Sequence, residues 1–167
     1  YYMSKFMKDY KLVGDYDDQT LHLWVMYRYG EVLLNYAEAL NEYLSVPSDD
    51  VYNAIISLRK RAGIEPGDKG LYGLTKKETR DEMREIIQNE RRIEMAFEEQ
   101  RYWDIRRWRI AEEVFKKPLR GLNIQIVGAV ANYYENVVLS PTFDVNRYLY
   151  PIPYSEVIKN KNMVQNP

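Results

Sequence analysis

Residues 90–108 read ERRIEMAFEEQRYWDIRRW, and this stretch decides the fold. If it is helical, charged and large apolar side chains share one face, which also extends upstream. The members of this face are Met83, Ile87, Glu90, Glu94, Phe97, Arg101, Asp104 and Trp108. A simple amphipathic helix separates these two kinds of side chain. The mixed face therefore indicates a helix that carries charged groups into its packing surface.

Two functional interpretations of this face are weak. Paired carboxylates such as Glu90 and Glu94 are typical of general acid and base catalysis on glycosides. However, neighbouring arginines favour an ionised carboxylate, whereas a general acid must hold its proton. Arginines beside Trp103 and Trp108 are compatible with nucleic-acid binding, but the acidic side chains of the region nearly cancel its positive charge.

We favour a structural interpretation, in which guanidinium groups bridge carboxylates of neighbouring helices while the aromatic rings pack around them. Trp103 and Trp108 are assigned to this packing. The expected structural ion-pair network consists of Glu90, Glu94, Arg101, Asp104 and Arg107.

Composition narrows the function further. The 167 residues carry 24 Lys and Arg against 25 Asp and Glu, a net charge of −1, which argues against a nucleic-acid-binding domain. The chain has no cysteine and one histidine, His22, so thiolate zinc sites, cysteine nucleophiles and histidine clusters are excluded. The composition thus argues against these sites alone; for the whole chain we expect no catalytic residues, no metal and no cofactor. No apolar run is long enough to span a bilayer.

The first half of the chain is patterned as a helical hairpin. A helix is predicted from about residue 24 to residue 44, with one apolar face formed by Leu33, Ala37, Leu40 and Leu44. A second is predicted from a cap at Ser48 or Asp49 to residue 62, and its apolar residues are Val51, Ala54, Ile55 and Leu58. Gly63 supplies the left-handed residue that ends it. The placement of small residues on the apolar faces of both helices is similar to the pattern of a tetratricopeptide unit.

The remainder is predicted as one long helical region followed by irregular structure. Thr75 and Glu78 form a capping box that opens a helix to about Phe97, which continues or resumes to residue 117 before Pro118. Residues 119–150 form a loop-rich excursion with one hairpin, and short strands are predicted at 122–126, 137–139 and 143–145. We expect a single domain over 1–167: helical at 23–118, loop-rich at 119–150, and closed by 151–167.

Four segments together resemble the C-terminal part of the SusD/RagB family of outer-membrane nutrient-binding lipoproteins. Residues 27–42, YRYGEVLLNYAEALNE, are similar to the family's R-x-A-E-V-L-L-x-Y-A-E-A-x-N-E helix. Residues 56–63, ISLRKRAG, are similar to its I-N-x-V-R-x-R-A-G helix end. The family's E-R-R-I-E…R-W-x-D-L-R-R-W block is matched within 90–108 by ERRIE and RYWDIRRW. Its closing motif is matched by YPIP at 150–153 and QNP at 165–167.

Two positions depart from the family pattern. Glu99 stands where the family usually has glycine, so this residue leaves open whether the chain has a kink or a close backbone approach there. Gly30 stands where the family tends to have alanine, which costs about 1 kcal/mol of helix propensity.

The resemblance implies a mainly α fold with tetratricopeptide-like hairpins and a loop-rich excursion containing short strands. It also implies a surface-exposed lipoprotein of the cell outer membrane, held by an N-terminal lipid anchor that this chain lacks. Such a protein binds an oligosaccharide nutrient without chemistry and delivers it to a SusC-like TonB-dependent transporter. The alternative is a tetratricopeptide-like module that binds a protein partner and no sugar.

Sugar binding relies on aromatic faces that pack against the apolar surfaces of sugar rings. The family motifs lie on amphipathic helices and are expected to be scaffold, so we look for tyrosines in loops with polar neighbours. Tyr133 and Tyr134, between Asn132 and Glu135–Asn136, are the first candidates, and Tyr72 in the glycine-rich loop is the second.

Overall fold

The computed structural model describes residues 25–76 and 78–166, and the predicted mainly α fold is confirmed. The helices are α1 (Tyr29–Tyr43), α2 (Asp49–Arg61), α3 (Arg80–Glu94), α4 (Gln100–Arg107), α5 (Ala111–Phe115) and α6 (Tyr154–Val157). The strands are β1 (Leu119–Val127) and β2 (Val130–Leu139), and a short 3₁₀ helix spans Val145–Tyr148. The predicted start of the first helix at residue 24 lies outside the described residues, and residues 25–28 are not helical.

The chain divides into two compact units that meet in sequence at Arg101 and Tyr102, within α4. The first holds α1, α2 and α3, and the second holds α5, α6, the two strands and the 3₁₀ helix. The expected boundary between helical and loop-rich parts, near residue 118, therefore differs from the point where the units separate. That the whole chain acts as one domain stays a prediction.

α1 and α2 form the predicted helical hairpin. Ser48 precedes α2 as expected, although its hydroxyl makes no capping hydrogen bond. Gly63 ends the helix as predicted: it has a φ of +79° and donates to the Lys60 carbonyl at 3.1 Å, while Ile64 donates to the Arg59 carbonyl at 3.1 Å. These two bonds satisfy the last carbonyls of α2 and turn the chain away from the helix axis.

The core of the first unit lies where the hairpin meets α3. The four predicted apolar residues of α2 are all buried: Val51, Ala54, Ile55 and Leu58. On α1 the predicted face is displaced, since Leu34, Ala37 and Asn41 are fully buried while Leu33 and Leu40 only flank the core. Asn41 defines this stripe because its Nδ2 donates to the Arg80 carbonyl at 3.0 Å. Arg80 is distant from Asn41 in sequence, so the spacing of apolar residues along α1 does not predict this contact.

The helix predicted to open at Thr75 begins four residues later. The backbone N–H of Thr75 does donate to Glu78 Oε1 at 2.9 Å, but the capping box that opens α3 is formed by Thr79 and Glu82. Two features prevent the earlier start. Lys76 has a left-handed φ of +57°, and the other oxygen of Glu78 accepts a hydrogen bond from the Tyr52 hydroxyl at 2.8 Å.

The long helical region is broken twice. α3 ends at Glu94, and the turn before α4 places Phe97 at a φ of +64° and Glu99 at +61°. Arg109, at +55°, separates α4 from α5. Left-handed backbone costs residues with a Cβ about 1–2 kcal/mol each, so tertiary contacts must hold these turns. The kink thus forms at Glu99 although this chain lacks the family's glycine there.

The excursion after Pro118 is a regular hairpin over most of its length. β1 and β2 are antiparallel, and a two-residue loop, Gly128–Ala129, joins them, with Gly128 at a φ of +63°. Tight two-residue hairpin turns favour glycine at the first loop position. The strand predicted at 143–145 is wrong: Asp144 caps the 3₁₀ helix by accepting from the Asn146 N–H at 2.9 Å. The ring of Phe143 stacks on Phe115 at 5.6 Å between centroids.

Replacing Tyr52 by phenylalanine tests the contact that displaces the start of α3. Burial and the bond to Glu78 raise the pKa of Tyr52 to about 12. Burial would raise the pKa of Glu78, but hydrogen bonds from the Thr75 backbone and the Tyr52 hydroxyl outweigh it and lower that pKa to about 2. At pH 7 we expect Tyr52→Phe to reduce the free energy of unfolding by about 1.5–3 kcal/mol, because a hydrogen bond to a carboxylate is lost.

The pH dependence supplies the control. A carboxyl group with a lowered pKa stabilises the folded state above its unfolded value of 4.5, and this contribution is lost as the pH falls towards 2. The difference between wild type and Tyr52→Phe, measured by urea denaturation, should therefore shrink between pH 4.5 and pH 2. A constant difference across that range would contradict the assignment.

Candidate functional site

Three arginines of the hairpin converge on the acidic side chains of α3 and the turn after it. Arg28, just before α1, pairs with Glu94 through Nη1, and its Nε donates to Glu98 Oε2 at 2.7 Å. Its Nη2 also donates to the Glu94 carbonyl at 2.6 Å. Arg61, at the end of α2, reaches the same carboxylate of Glu94. One glutamate of α3 is thereby joined to both helices of the hairpin.

Glu90, one turn earlier, is held by α2. Arg59 Nη2 lies 2.9 Å from Glu90 Oε2, and Arg59 Nη1 donates to the Tyr72 carbonyl at 2.8 Å. The same guanidinium therefore connects α3 to the glycine-rich loop after α2. Arginine suits this role because its planar fork can serve two acceptors at once.

Apart from Arg61, whose side chain is 61% exposed, the side chains of these ion pairs are mostly buried. The side chains of Glu90 and Glu94 are each 12% exposed, Glu98 is 10% exposed and Arg28 is 22% exposed. Burial alone would lower the pKa of Arg28, but its hydrogen bonds to Glu98 and Glu94 outweigh that effect and raise it. A buried guanidinium with several acceptors stays charged and fixes the elements that carry those acceptors.

Gly30 makes room for this arrangement. A Cβ at this position would lie 2.6 Å from Arg28 Nη1 and 3.1 Å from Glu94 Oε1. Real Cβ atoms do not approach other heavy atoms as closely as the first of these distances, so alanine would push the guanidinium away. The helix propensity that Gly30 forfeits therefore has a structural reason in this chain.

Asp104 forms a separate pair in the second unit. Its side chain is 3% exposed, and its Oδ1 accepts from Arg107 Nε at 3.0 Å within α4. The Arg107 guanidinium also lies 4.6 Å from the centre of the Trp108 ring. Of the five residues expected to form one network, Glu90 and Glu94 thus bind different arginines of the hairpin, and Asp104 and Arg107 pair with each other. A continuous network that includes Arg101 stays a prediction.

Sequence reasoning missed the partners of the two glutamates. Arg28, Arg59, Arg61 and Glu98 all lie within or beside the quoted family segments, at 27–42, 56–63 and 90–108. The signal that could have identified these partners is the position of the arginines. They lie at the end of one amphipathic helix and just ahead of another, opposite a third helix that carries buried acids. Bridges between neighbouring helices were expected, but all five residues named for them lie within 90–108, because the sequence period relates only neighbours on one helix.

The first-choice tyrosines, Tyr133 and Tyr134, lie side by side on β2 and therefore on opposite faces of the hairpin. Tyr134 is 51% exposed and is opposite Asn123 of β1. Tyr133 is 63% exposed and is opposite Ile124. The two rings cannot stack on the same ligand face, so the hairpin offers two separate surfaces.

Tyr72 belongs to the other compact unit and is a separate candidate. It is half-buried and has a left-handed φ of +51°. Its N–H donates to the Pro66 carbonyl at 3.0 Å, and its own carbonyl accepts from Arg59. The loop around this tyrosine is therefore braced from α2.

The closing segment is tied back onto itself by its family motif. Gln165 accepts from the Ile152 N–H at 2.7 Å and donates to the Ile152 carbonyl at 2.8 Å, while Asn166 donates to the Tyr150 carbonyl at 2.6 Å. The Trp103 ring lies 5.0 Å from Tyr102 and 5.9 Å from Tyr150, between ring centres. These motif residues serve packing, although Trp103 is still 55% exposed.

Within residues 25–76 and 78–166 there is neither a group of side chains suited to a metal nor a helix suited to span a membrane. No group of three or more acidic or histidine side chains there is arranged to hold a metal ion. No helix in that part of the chain has the length and apolar character needed to cross a bilayer.

Removing the carboxylate of Glu94 tests the brace. We expect Glu94→Gln to lower the free energy of unfolding by about 1.5–3 kcal/mol, because two guanidinium groups lose a charged acceptor. Glu85→Gln is the matched control on the same helix: Glu85 is exposed, and its change should stay within about 0.5 kcal/mol. Equal effects of the two substitutions in urea denaturation would show that Glu94 is an ordinary surface residue.

Known proteins with related sequences and structures agree with this architecture. The SusD family model matches residues 1–167. SusD-like protein P2 of Formosa agariphila is 34% identical over 166 residues, which are 99% of this chain and 29% of that protein. SusD-like protein P38 of the same organism is 27% identical over 144 residues, 85% of this chain and 24% of that protein.

Solved structures give the same result. The crystal structure of a SusD-like protein from Bacteroides fragilis matches with a TM-score of 0.68 and 32% identity, over 86% of this chain and 25% of that one. A SusD homolog from Bacteroides thetaiotaomicron matches with a TM-score of 0.63 and 28% identity, over 86% of this chain and 26% of that one. The chain thus spans under a third of the length of these relatives. Because the family model covers it from end to end, the chain belongs to the SusD family.

Proposed function

We propose that this chain is part of a protein that binds oligosaccharide nutrients at the bacterial outer-membrane surface. The protein acts without catalysis and delivers the sugar to a SusC-like TonB-dependent transporter. An N-terminal lipid anchor would hold the protein at the membrane. The observation that carries the proposal is the family match over all of residues 1–167.

The placement of the charged residues supports a role in binding without chemistry. The carboxylates that resemble a catalytic pair, Glu90 and Glu94, are mostly buried and engaged by arginines of the hairpin. Inverting and retaining glycosidases instead hold two carboxylates on either side of a bound sugar. The matched segments of this chain therefore act as scaffold, and ligand contacts are assigned to the exposed tyrosines.

A second candidate function is a tetratricopeptide-like module that binds a protein. One face of α1 favours it, since four large side chains spaced along that helix are between 48% and 85% exposed. They are Tyr29, Val32, Tyr36 and Tyr43. A continuous aromatic and aliphatic stripe of this kind is typical of a surface that packs against another helix.

Glycan binding by the full-length protein separates the two functions. We expect the protein to retain a member of an oligosaccharide array and to bind it reversibly in calorimetry. Chromatography after prolonged incubation should recover that oligosaccharide at its original length. Glu90→Gln should leave its affinity unchanged.

Tyr36→Ala with Tyr43→Ala removes rings from the exposed face of α1 and provides the control. Glycan affinity should survive this double substitution. Shortened oligosaccharide, or no glycan binding together with a protein complex that the double substitution abolishes, would contradict the proposal.

A further inference from the structure

The register of the β1–β2 hairpin sorts its side chains into two chemically different faces. On one face, the cross-strand pairs are Gly121 with Asn136, Asn123 with Tyr134, Gln125 with Asn132 and, next to the turn, Val127 with Val130. On the other face they are Arg120 with Val137, Leu122 with Glu135, Ile124 with Tyr133, and Ile126 with Ala131. We call the first the amide face and the second the aliphatic face.

The amide face places four side-chain amides around one tyrosine ring. Asn123 is directly across from Tyr134, Asn132 and Asn136 are two residues away on the same strand, and Gln125 lies on the diagonal. Directly opposed residues on a sheet have Cβ atoms about 5 Å apart, and next neighbours on one strand are about 7 Å apart. The amides therefore surround the ring at the scale of a single sugar unit.

The side-chain amides of this face are available to form hydrogen bonds with a ligand. In the part of the chain that the structure describes, the side chains of Asn123, Gln125, Asn132 and Asn136 form no hydrogen bond with other protein groups. All but the half-buried Asn132 are exposed, as is Tyr134. Gly121 has no side chain to cover the amide of Asn136 across the ladder.

Those groups match the chemistry of a neutral sugar. A carboxamide offers both donors and an acceptor, which is what a hydroxyl group requires of its partner. The tyrosine ring offers a flat apolar surface to the C–H side of a pyranose ring. These pairs on the amide face carry no charged side chain, so it has neither a cation for a uronate or sulfate nor an anion for an amino sugar.

The aliphatic face lacks this character. Its polar groups, Arg120 and Glu135, are 3.0 Å apart and satisfy each other. Ile124 lies directly across from Tyr133, and Leu122 and Ile126 lie on the diagonals, so the ring has branched apolar neighbours. Such a surface packs against protein and has no free amide to hold a hydroxyl.

We infer that the amide face of the hairpin, centred on Tyr134, is a contact surface for a neutral oligosaccharide, and that Tyr133 on the aliphatic face is not. This inference rests on the proposed function and assigns its site. Asn123, Gln125, Asn132 and Asn136 take the hydroxyl groups while the ring of Tyr134 covers one sugar unit.

The two adjacent tyrosines provide a matched pair of variants. A neutral oligosaccharide identified on an array that also holds uronate-containing glycans serves as the probe, and calorimetry on the full-length protein gives the affinity. We expect Tyr134→Ala to weaken binding by at least about tenfold, and Tyr134→Phe to retain most of it because the ring remains. Tyr133→Ala should leave the affinity within about twofold of wild type.

Asn123→Ala guards against a folding artefact. Its side chain is exposed, and its amide forms no hydrogen bond with residues 25–76 or 78–166, so the melting temperature should not change. We expect it to weaken binding by about three- to tenfold, because a hydroxyl partner is lost.

The outcomes separate this inference from the proposed function. If the protein binds a neutral oligosaccharide but Tyr134→Ala and Asn123→Ala bind like wild type, the inference is wrong and the proposed function stands. If Tyr133→Ala reduces affinity as much as Tyr134→Ala, or if the glycan retained is a uronate, the assignment of the amide face is also wrong. If no glycan on the array binds, both proposals fail.

Discussion

The ion pair of Arg28 with Glu94 is the contact on which the first unit depends. α1 and α3 run antiparallel, and this pair joins the start of α1 to the end of α3, while Asn41 and Glu42 bind Arg80 and Arg84 at the opposite ends. A mostly buried pair stabilises a fold only when its desolvation is offset by good geometry and further hydrogen bonds. Arg28 meets that condition because Glu98 and the Glu94 carbonyl accept its remaining donors. The mixing of charged and apolar side chains along one helix face follows from this requirement.

Sequence patterning predicted the elements of the fold where local and tertiary preferences agree. The apolar face of α2, its end at Gly63 and the alternation of β1 were all predicted, because each depends on a short-range period or a single residue. The start of α3 was not, since two capping boxes lie four residues apart and Tyr52, which holds Glu78, decides between them. The left-handed turn at Glu99 was not predicted either, because no glycine at that position indicates it.

The residues of the candidate site could be predicted only in part, because some of them are brought together by pairing between distant positions of the chain. Loop and strand tyrosines with polar neighbours can be found by reading along the chain, and Tyr134 was found that way. Its partners across the hairpin, Asn123 and Gln125, depend on the strand register, which the sequence around β2 does not contain. The same register shows that Tyr133 and Tyr134 do not form one site. Our proposal thus divides scaffold and binding roles: the matched motifs brace helices, and the exposed hairpin is the proposed contact surface for a ligand.

The brace is tested most directly by Gly30→Ala, introduced into wild type and into Arg28→Ala. With Arg28 removed, the atoms nearest to the new methyl group are the flexible Oε1 of Glu94 at 3.1 Å and Cδ2 of Leu58 in ordinary van der Waals contact at 3.5 Å. Alanine should then stabilise the helix by about 1 kcal/mol. In wild type, the methyl group displaces the guanidinium from Glu94, so that gain should vanish or become a loss in urea denaturation. An equal gain in both backgrounds would contradict the account, because Arg28 would then not lie against Gly30 in the folded protein.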